Sequence, residues 1–248
     1  MESKSDDASG NTITFTVFTS MTTELNKKFS RVENKIVKSS MATMSKGTYA
    51  TQTVNGPEEL NEFLNNLKSN QAVSIGICNK GPSGKIKSKK SQQKGAITRT
   101  KDNFEYSNCF IFDIDDSTLT IDEVIPTLCQ IDPNLINADI LVRASSSYGV
   151  YKEGDKPNVE MCGYHVWILG VKDPSDIARY GQAFAKLCWL KGNGHIIISN
   201  SGSMLVRQLI DASVFSPERL VFEASPTLAP GIKQLERPCR IQRGASHV

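Results

Sequence analysis

The chain has no apolar run approaching the ~20 residues needed to cross a bilayer, and its opening, Met1-Glu2-Ser3-Lys4-Ser5-Asp6-Asp7, lacks the apolar stretch of a secretory signal. These absences predict a cytoplasmic protein with no membrane partner. None of the 6 cysteines forms a Cys-x-x-Cys pair, and there are only 3 histidines, which argues against a structural zinc site. Cys109, Cys162 and Cys188 lie inside apolar runs, as reduced core thiols do. No internal repeat is visible. The net charge of +3 is too small to name a partner by itself. At 248 residues, 39% hydrophobic and 22% charged, the chain has the make-up of a soluble globular protein of one large or two small domains.

Residues 1–11 read as a disordered start. Ile13, Phe15 and Val17 alternate with threonines, the period of a half-buried strand. Residues 27–54 read as two further strands around a turn at Gly47. Gly56-Pro57-Glu58-Glu59 opens a helix, with proline and acids in its first turn, and Leu60, Phe63, Leu64 and Leu67 follow at helical spacing. Ala72 to Cys78 reads as one short strand, which completes an N-terminal α/β module over 12–101.

One sign of charge is missing from the end of that module. Residues 80–101 carry Lys80, Lys85, Lys87, Lys89, Lys90, Lys94, Arg99 and Lys101 with no acid among them. Such a loop is either a solvated surface or an arm that tracks phosphates, since clustered cations displace counterions from nucleic acid. Lys87, Lys89, Lys90, Arg99 and Lys101 are the candidate nucleic-acid contacts.

The loop leads into Phe110-Ile111-Phe112-Asp113-Ile114-Asp115-Asp116. Two carboxylates two residues apart at the end of an apolar strand leave it on one face. A bound divalent cation is the usual reason to tolerate such repulsion. Asp116 points the other way and reads as a turn or helix-approach residue. From here strands and helices alternate: Thr120 caps a helix, Ile140-Leu141-Val142 runs into Arg143-Ala144-Ser145-Ser146-Ser147, and a strand spans 162–169. Asp173 or Ser175 caps a second helix, and apolar runs surround Asp211 and Leu220-Val221-Phe222. Residues 231–248 read as a basic tail, a linker to a further domain.

Nucleotidyl transfer needs carboxylate-held metals, typically with three acids, and cationic or hydrogen-bonding groups around a triphosphate. Asp113, Asp115 and Asp211 are suited to the first task. Arg143, Ser145, Ser146, Ser147, His165, Arg207 and Arg219 are suited to the second.

The order Phe112-Asp113-Ile114-Asp115, then Gly163-Tyr164-His165-Val166-Trp167, then Leu209-Ile210-Asp211 with Arg219 beyond it, resembles the archaeo-eukaryotic primase (primase–polymerase) superfamily. The similarity is greatest to the members carried by plasmids, phages and other mobile elements, and it covers roughly 95–230. It implies an α+β fold in which an RRM-like catalytic sheet with helices, over 102–230, joins the N-terminal module. It also implies two Mg²⁺ or Mn²⁺ ions on Asp113, Asp115 and Asp211, with His165 as a catalytic contact to the incoming triphosphate. Arg219, with Arg207 or Arg143, would neutralise that triphosphate. The implied partners are a single-stranded DNA template, nucleoside triphosphates, and a helicase, fused or separate. Gly163 stands where the family often has serine: either the loop after Ser145–Ser147 returns a hydroxyl to the site, or a backbone amide at Gly163 replaces it.

Two rivals remain open. Asp113-Ile114-Asp115 with Ser117 and Ser145 also resembles the start of a haloacid-dehalogenase phosphatase, although no downstream acidic pair follows. A non-catalytic replication-initiator module would keep the basic loop without needing three acids aimed at a polyanion.

Overall fold

The computed structural model describes residues 12–33, 35–40, 44–115, 118–157 and 163–244. The expectations for residues 1–11, Asp116, Ser117 and Cys162 lie outside the described residues. In chain order the elements are β1 (Thr12–Ser20), β2 (Lys27–Val32), β3 (Lys35–Ser40), β4 (Lys46–Asn55) and α1 (Gly56–Asn65). Then come β5 (Gln71–Ser74), β6 (Gly76–Cys78), β7 (Ser83–Lys87), β8 (Ile97–Thr98), β9 (Phe104–Tyr106) and β10 (Cys109–Ile114). α2 (Ile121–Ile131), β11 (Asp139–Ala144), β12 (Val150–Lys152), β13 (Tyr164–Leu169) and α3 (Ile177–Leu190) follow. The described chain closes with β14 (Gly194–Ile198), β15 (Met204–Gln208), β16 (Thr227–Leu228), β17 (Ile232–Gln234) and β18 (Cys239–Gln242).

The fold is mixed α+β, with two principal sheets. The N-terminal sheet has the order β5-β1-β4-β7-β8, and the second has the order β10-β13-β11-β18. Every pairing in the second sheet is antiparallel. β10 is an edge strand, closed only by an isolated bridge from Ile114 to Ile210. One face of this sheet is aromatic: Phe110 and Phe112 pack on Tyr180 and Phe184 of α3 and on Phe215, with the Phe112 and Phe184 rings 4.5 Å apart. The other face turns toward the N-terminal module, where Trp167 meets Phe15 at 6.0 Å between ring centroids. One apolar cluster therefore joins the two sheets, linking Ile13, Phe15, Leu60 and Leu64 to Ile111, Leu141 and Trp167, and a second lies around Phe18, Leu25, Met44 and Phe104.

Local signals explain the helices. Pro57 stands in the first turn of α1, with Glu58 and Glu59 beside it. The N–H and hydroxyl of Thr120 both donate to Glu123 at the start of α2, at 2.8 and 2.7 Å. Asp173 accepts from the Ser175 N–H at the turn before α3.

Four expectations need correcting. Residues 27–54 hold three strands, and Gly47 lies inside β4 rather than at a turn. A Cβ there would stand 2.3 Å from the Thr19 carbonyl oxygen, so glycine serves a close strand approach. The apolar stretch 72–78 is two strands, β5 on the main sheet and β6 paired with β9. Part of the basic loop is also sheet, because β7 adds to β4 and β8 to β7. Finally, the expected tail is not simply a linker over residues 231–244, and its last four positions lie outside the described residues. β17 pairs with β12, and β18 becomes an edge of the second sheet beside β11.

Phe112 is fully buried among four other aromatic rings. Phe112→Ala is expected to cost about 3–5 kcal/mol of unfolding free energy, as large-to-small changes in packed aromatic cores do. Urea unfolding followed by circular dichroism measures it, and a loss below ~1 kcal/mol would contradict the packing described.

Candidate functional site

Asp113, His165 and Arg143 stand opposite one another on β10, β13 and β11, so their side chains share the face turned to the N-terminal module. Exposure falls along this row: the side chains are 28%, 10% and 4% accessible. Beneath it lies Glu223, with a wholly buried side chain. Its carboxylate accepts from His165 Nδ1 at 2.9 Å and from Trp167 Nε1 and Arg143 Nε at 3.2 Å each. Arg143 also donates to Asn61, through both the backbone and the side-chain oxygen, and to Asn65 Oδ1 at 2.9 Å, both on α1.

Burial opposes the charge on Glu223, but His165, its hydrogen bond, and Arg143 and Arg237 outweigh burial and hold the carboxyl well below the glutamate range. Burial likewise opposes a charged His165. The Glu223 carboxylate, the hydrogen bond to it, and Asp113 overcome that and raise the imidazole above its ordinary value. With Nδ1 committed to Glu223, Nε2 faces Asp113 Oδ1 at 3.8 Å.

Above the row opens a cleft of about 370 Å³, lined by Asp113, Asp115, His165, Gly163, Ser145 and Ser147 on the sheet side. Lys27, Lys38 and Arg219 line its other walls. Lys27 Nζ donates to Ser147 Oγ at 3.0 Å. Burial, then the neighbouring Lys38 charge, lower the Lys27 pKa, while Asp113, Asp115 and Glu223 oppose that shift. Asp113 is raised chiefly by burial, helped by Asp115 and Asp211 and resisted by His165 and Lys27. The cleft thus sets two acids against two lysines and an arginine across a short span.

Asp211 reaches this neighbourhood through its backbone, whose N–H donates to the Asp113 carbonyl at 2.8 Å. Its carboxylate accepts from the N–H and hydroxyl of Ser213 at 2.8 and 2.6 Å and stands 3.8 Å from Arg219 Nη2. Among the described residues no group of three or more His, Cys, Asp or Glu side chains is gathered closely enough to hold a metal ion. Asp113 and Asp115 share one cleft, and Asp211 sits beside them with its oxygens committed to a cap.

A Cβ on Gly163 would lie 2.8 Å from the Ile114 carbonyl oxygen and 3.2 Å from Asp115 Oδ1. Glycine lets the strand start pass beside the Asp115 carboxylate. The Ser145 N–H donates to the Gly163 carbonyl at 2.8 Å, which brings the serine loop back over the strand start and places Ser145 and Ser147 in the cleft.

Other candidates are dispersed. Arg143 lies under the cleft with its donors spent on Glu223, Asn61 and Asn65, so it is not available to a ligand as expected. Ser146 is wholly buried and does not line the cleft. Arg207, on β15, lines a neighbouring cleft with Asp115. Lys89, Lys90 and Lys101 are exposed and Lys87 half-buried, all away from the cleft lining. Arg99 ties the basic loop to the site segment by donating to the Glu218 carbonyl at 2.8 Å.

Sequence reasoning missed Glu223, Lys27 and Lys38. Glu223 had a signal: a lone acid inside Leu220-Val221-Phe222-Glu223-Ala224 implies a buried cationic partner. Lys27 and Lys38 had none, because only the β2–β3 pairing and its docking carry them to Asp113. Searches against family profiles, characterised proteins and solved structures found no match.

Glu223→Ala strands a buried guanidinium and imidazole and is expected to cost about 3–5 kcal/mol. The pH dependence follows from the signs. The lowered Glu223 contributes stability above the ordinary glutamate pKa and loses it as pH falls toward its folded value. The raised His165 contributes below the ordinary histidine pKa and loses it as pH rises through its folded value. Melting temperatures across pH 3–9 should therefore show an acid limb that flattens in Glu223→Gln, and an unchanged acid limb would contradict the pairing.

Proposed function

We propose that this chain is a template-dependent nucleotidyltransferase, a DNA primase or primase–polymerase, that adds nucleotides along single-stranded DNA. The observation that carries the reading is the composition of one cleft: Asp113 and Asp115 on a strand end, facing Lys27, Lys38 and Arg219, with His165 and two serine hydroxyls between. A triphosphate gives the cationic wall its counter-charge, and charge developing on its oxygens during transfer makes that wall stabilising where it matters. The path β10–α2–β11–β12–β13–α3, in which β12 pairs outside the sheet and the spatial order is β10-β13-β11, supports an RRM-like catalytic sheet.

In the reaction the 3′-oxygen of a strand attacks the α-phosphorus of a nucleoside triphosphate. A phosphorus–oxygen bond forms, the bond to the bridging oxygen of the β-phosphate breaks, pyrophosphate leaves, and the hydroxyl proton passes to solvent. Asp113 and Asp115 are the residues that would hold Mg²⁺ or Mn²⁺, which supplies charge neutralisation at the reacting phosphate. The raised pKa of Asp113 beside two other acids fits a place for a cation. Asp211 could join them only by giving up its bonds to Ser213. His165 is held by Glu223 with Nε2 toward the cleft, where a protonated ring donates to a phosphate oxygen. Lys27, tethered by Ser147, and Lys38 bring the N-terminal module to the same anion.

Primer extension on single-stranded template with Mg²⁺ or Mn²⁺ and labelled nucleotides tests the reading. Asp113→Ala and Asp115→Ala are each expected to lower incorporation by at least ~100-fold, the scale of losing a principal electrostatic contributor, and Asp211→Ala by less because its carboxylate is held by Ser213, with strand binding retained in all three. Full incorporation by the Asp113/Asp115 double variant would remove the reading, and metal-dependent phosphate release without incorporation would favour a phosphatase.

The basic loop makes a separate prediction. Replacing Lys87, Lys89 and Lys90 by glutamine should weaken single-strand binding and flatten its salt dependence, by about 0.7 in log–log slope for each phosphate that is no longer neutralised. An unchanged slope would return the loop to an ordinary solvated surface.

A further inference from the structure

The β14–β15 hairpin is a ribbon of two strands that belongs to no larger sheet. Its base is fixed on α3: a Cβ at Gly194 would come within 2.5 Å of the Trp189 ring, and the Asn193 N–H donates to the Cys188 carbonyl at 2.8 Å. Register places His195 opposite Arg207 and Ile197 opposite Leu205. Strand alternation therefore puts these four residues on one face.

That face borders a second cleft of about 670 Å³. His195, Ile197 and Arg207 line it from the ribbon, and Gly192, Asn193 and Leu209 from the strand ends. Its opposite wall carries Asp115 and Thr118. Asp115 also lines the first cleft, so the two open on either side of one carboxylate. Arg207 is exposed and forms no ion pair with a described residue, and on the same face Ile197 is 45% and Leu205 37% accessible. An unpaired guanidinium beside open aliphatic surface, at the rim of a site with its own phosphate-binding wall, is the chemistry of a nucleic-acid strand. The guanidinium meets a phosphate, and the aliphatic side chains meet sugar and base faces.

We infer that the cleft between the β14–β15 hairpin and Asp115 holds the end of a nucleic-acid strand, with its 3′ end at Asp115, a backbone phosphate on Arg207, and sugar or base surface on Ile197 and Leu205. The inference rests on the nucleotidyltransferase reading and assigns the second of its two polyanions. The triphosphate lies on the Lys27, Lys38 and Arg219 side of Asp115, and the strand lies on the hairpin side. Arg207 thereby moves from the nucleotide to the strand.

The test uses the full chain and a fluorescein-labelled primer–template with a recessed 3′ end, with affinity read by anisotropy over a salt series. Nucleoside triphosphate affinity is measured separately by calorimetry. Arg207→Gln is expected to weaken strand binding several-fold and to flatten the salt slope by about 0.7–0.9, the value of one neutralised phosphate. Ile197→Asp should weaken it further, and both variants should keep wild-type nucleotide affinity and melting temperature. Arg219→Gln should do the reverse, weakening the nucleotide and sparing the strand. Unchanged strand affinity and slope in both hairpin variants would overturn the inference, as would a matching loss of nucleotide affinity in Arg207→Gln. Loss of strand binding in the hairpin variants of a protein that incorporates no nucleotide would uphold the groove and remove only the polymerase reading.

Discussion

A carboxylate with no access to water must be matched by donors and opposite charge, and Glu223 meets that demand by drawing three elements to one point. His165 and Trp167 come from β13 and Arg143 from β11, while the other donors of Arg143 reach α1 of the N-terminal module. The segment that delivers Glu223 is itself stitched to both modules. The Asp211 N–H binds the Asp113 carbonyl, the Gly76 N–H binds the Pro217 carbonyl, Val221 bridges Val73, and β16 pairs with β2. The walls of the cleft are therefore set by one buried acid and the strand-like segment around it. A change at Glu223 reaches the ring of His165 directly and the seat of Lys27 through the same junction.

Local signals made the helices and the opening strand legible in the sequence. The proline and acids of α1, the Thr120–Glu123 pair of α2 and the Phe110-to-Asp113 run each act within a few residues, where pattern and structure coincide. The pairings that close the sheets are different. β18 joins β11 across roughly a hundred residues, and the β14–β15 ribbon presents a mostly apolar sequence on an exposed hairpin, so neither pairing can be read from composition alone.

The candidate site divides in the same way. Asp113, Asp115, His165, Ser145, Ser147 and Arg219, far apart in sequence, line one cleft. Arg143 misled because a strand-end arginine looks the same in sequence whether it faces a ligand or a buried glutamate. Its neighbours on α1 and at Glu223 decide between these, and they lie some 80 residues away on either side. Gly163 left two readings open in the sequence, a hydroxyl returned by the serine loop or a backbone amide in its place. In three dimensions a Cβ there would crowd the Ile114 carbonyl oxygen and the Asp115 carboxylate, and the Ser145 N–H binds the Gly163 carbonyl.

The electrostatics of the cleft bear on what it is built to receive. Burial and neighbouring acids push Asp113 toward its neutral form, while burial and Lys38 push Lys27 toward its own. Each wall is thus held away from full charge by its own kind and kept charged by the opposite wall. A cation alone would relieve the acids and worsen the repulsion felt by the lysines; an anion alone would do the converse. A ligand that brings both, phosphates on the Lys27 side and a divalent cation on the Asp113 side, satisfies the two walls together. Linkage then requires each half to favour the other. On the proposed function a nucleotide–metal pair would meet that joint demand, which arises from the same packing that leaves Glu223 without water.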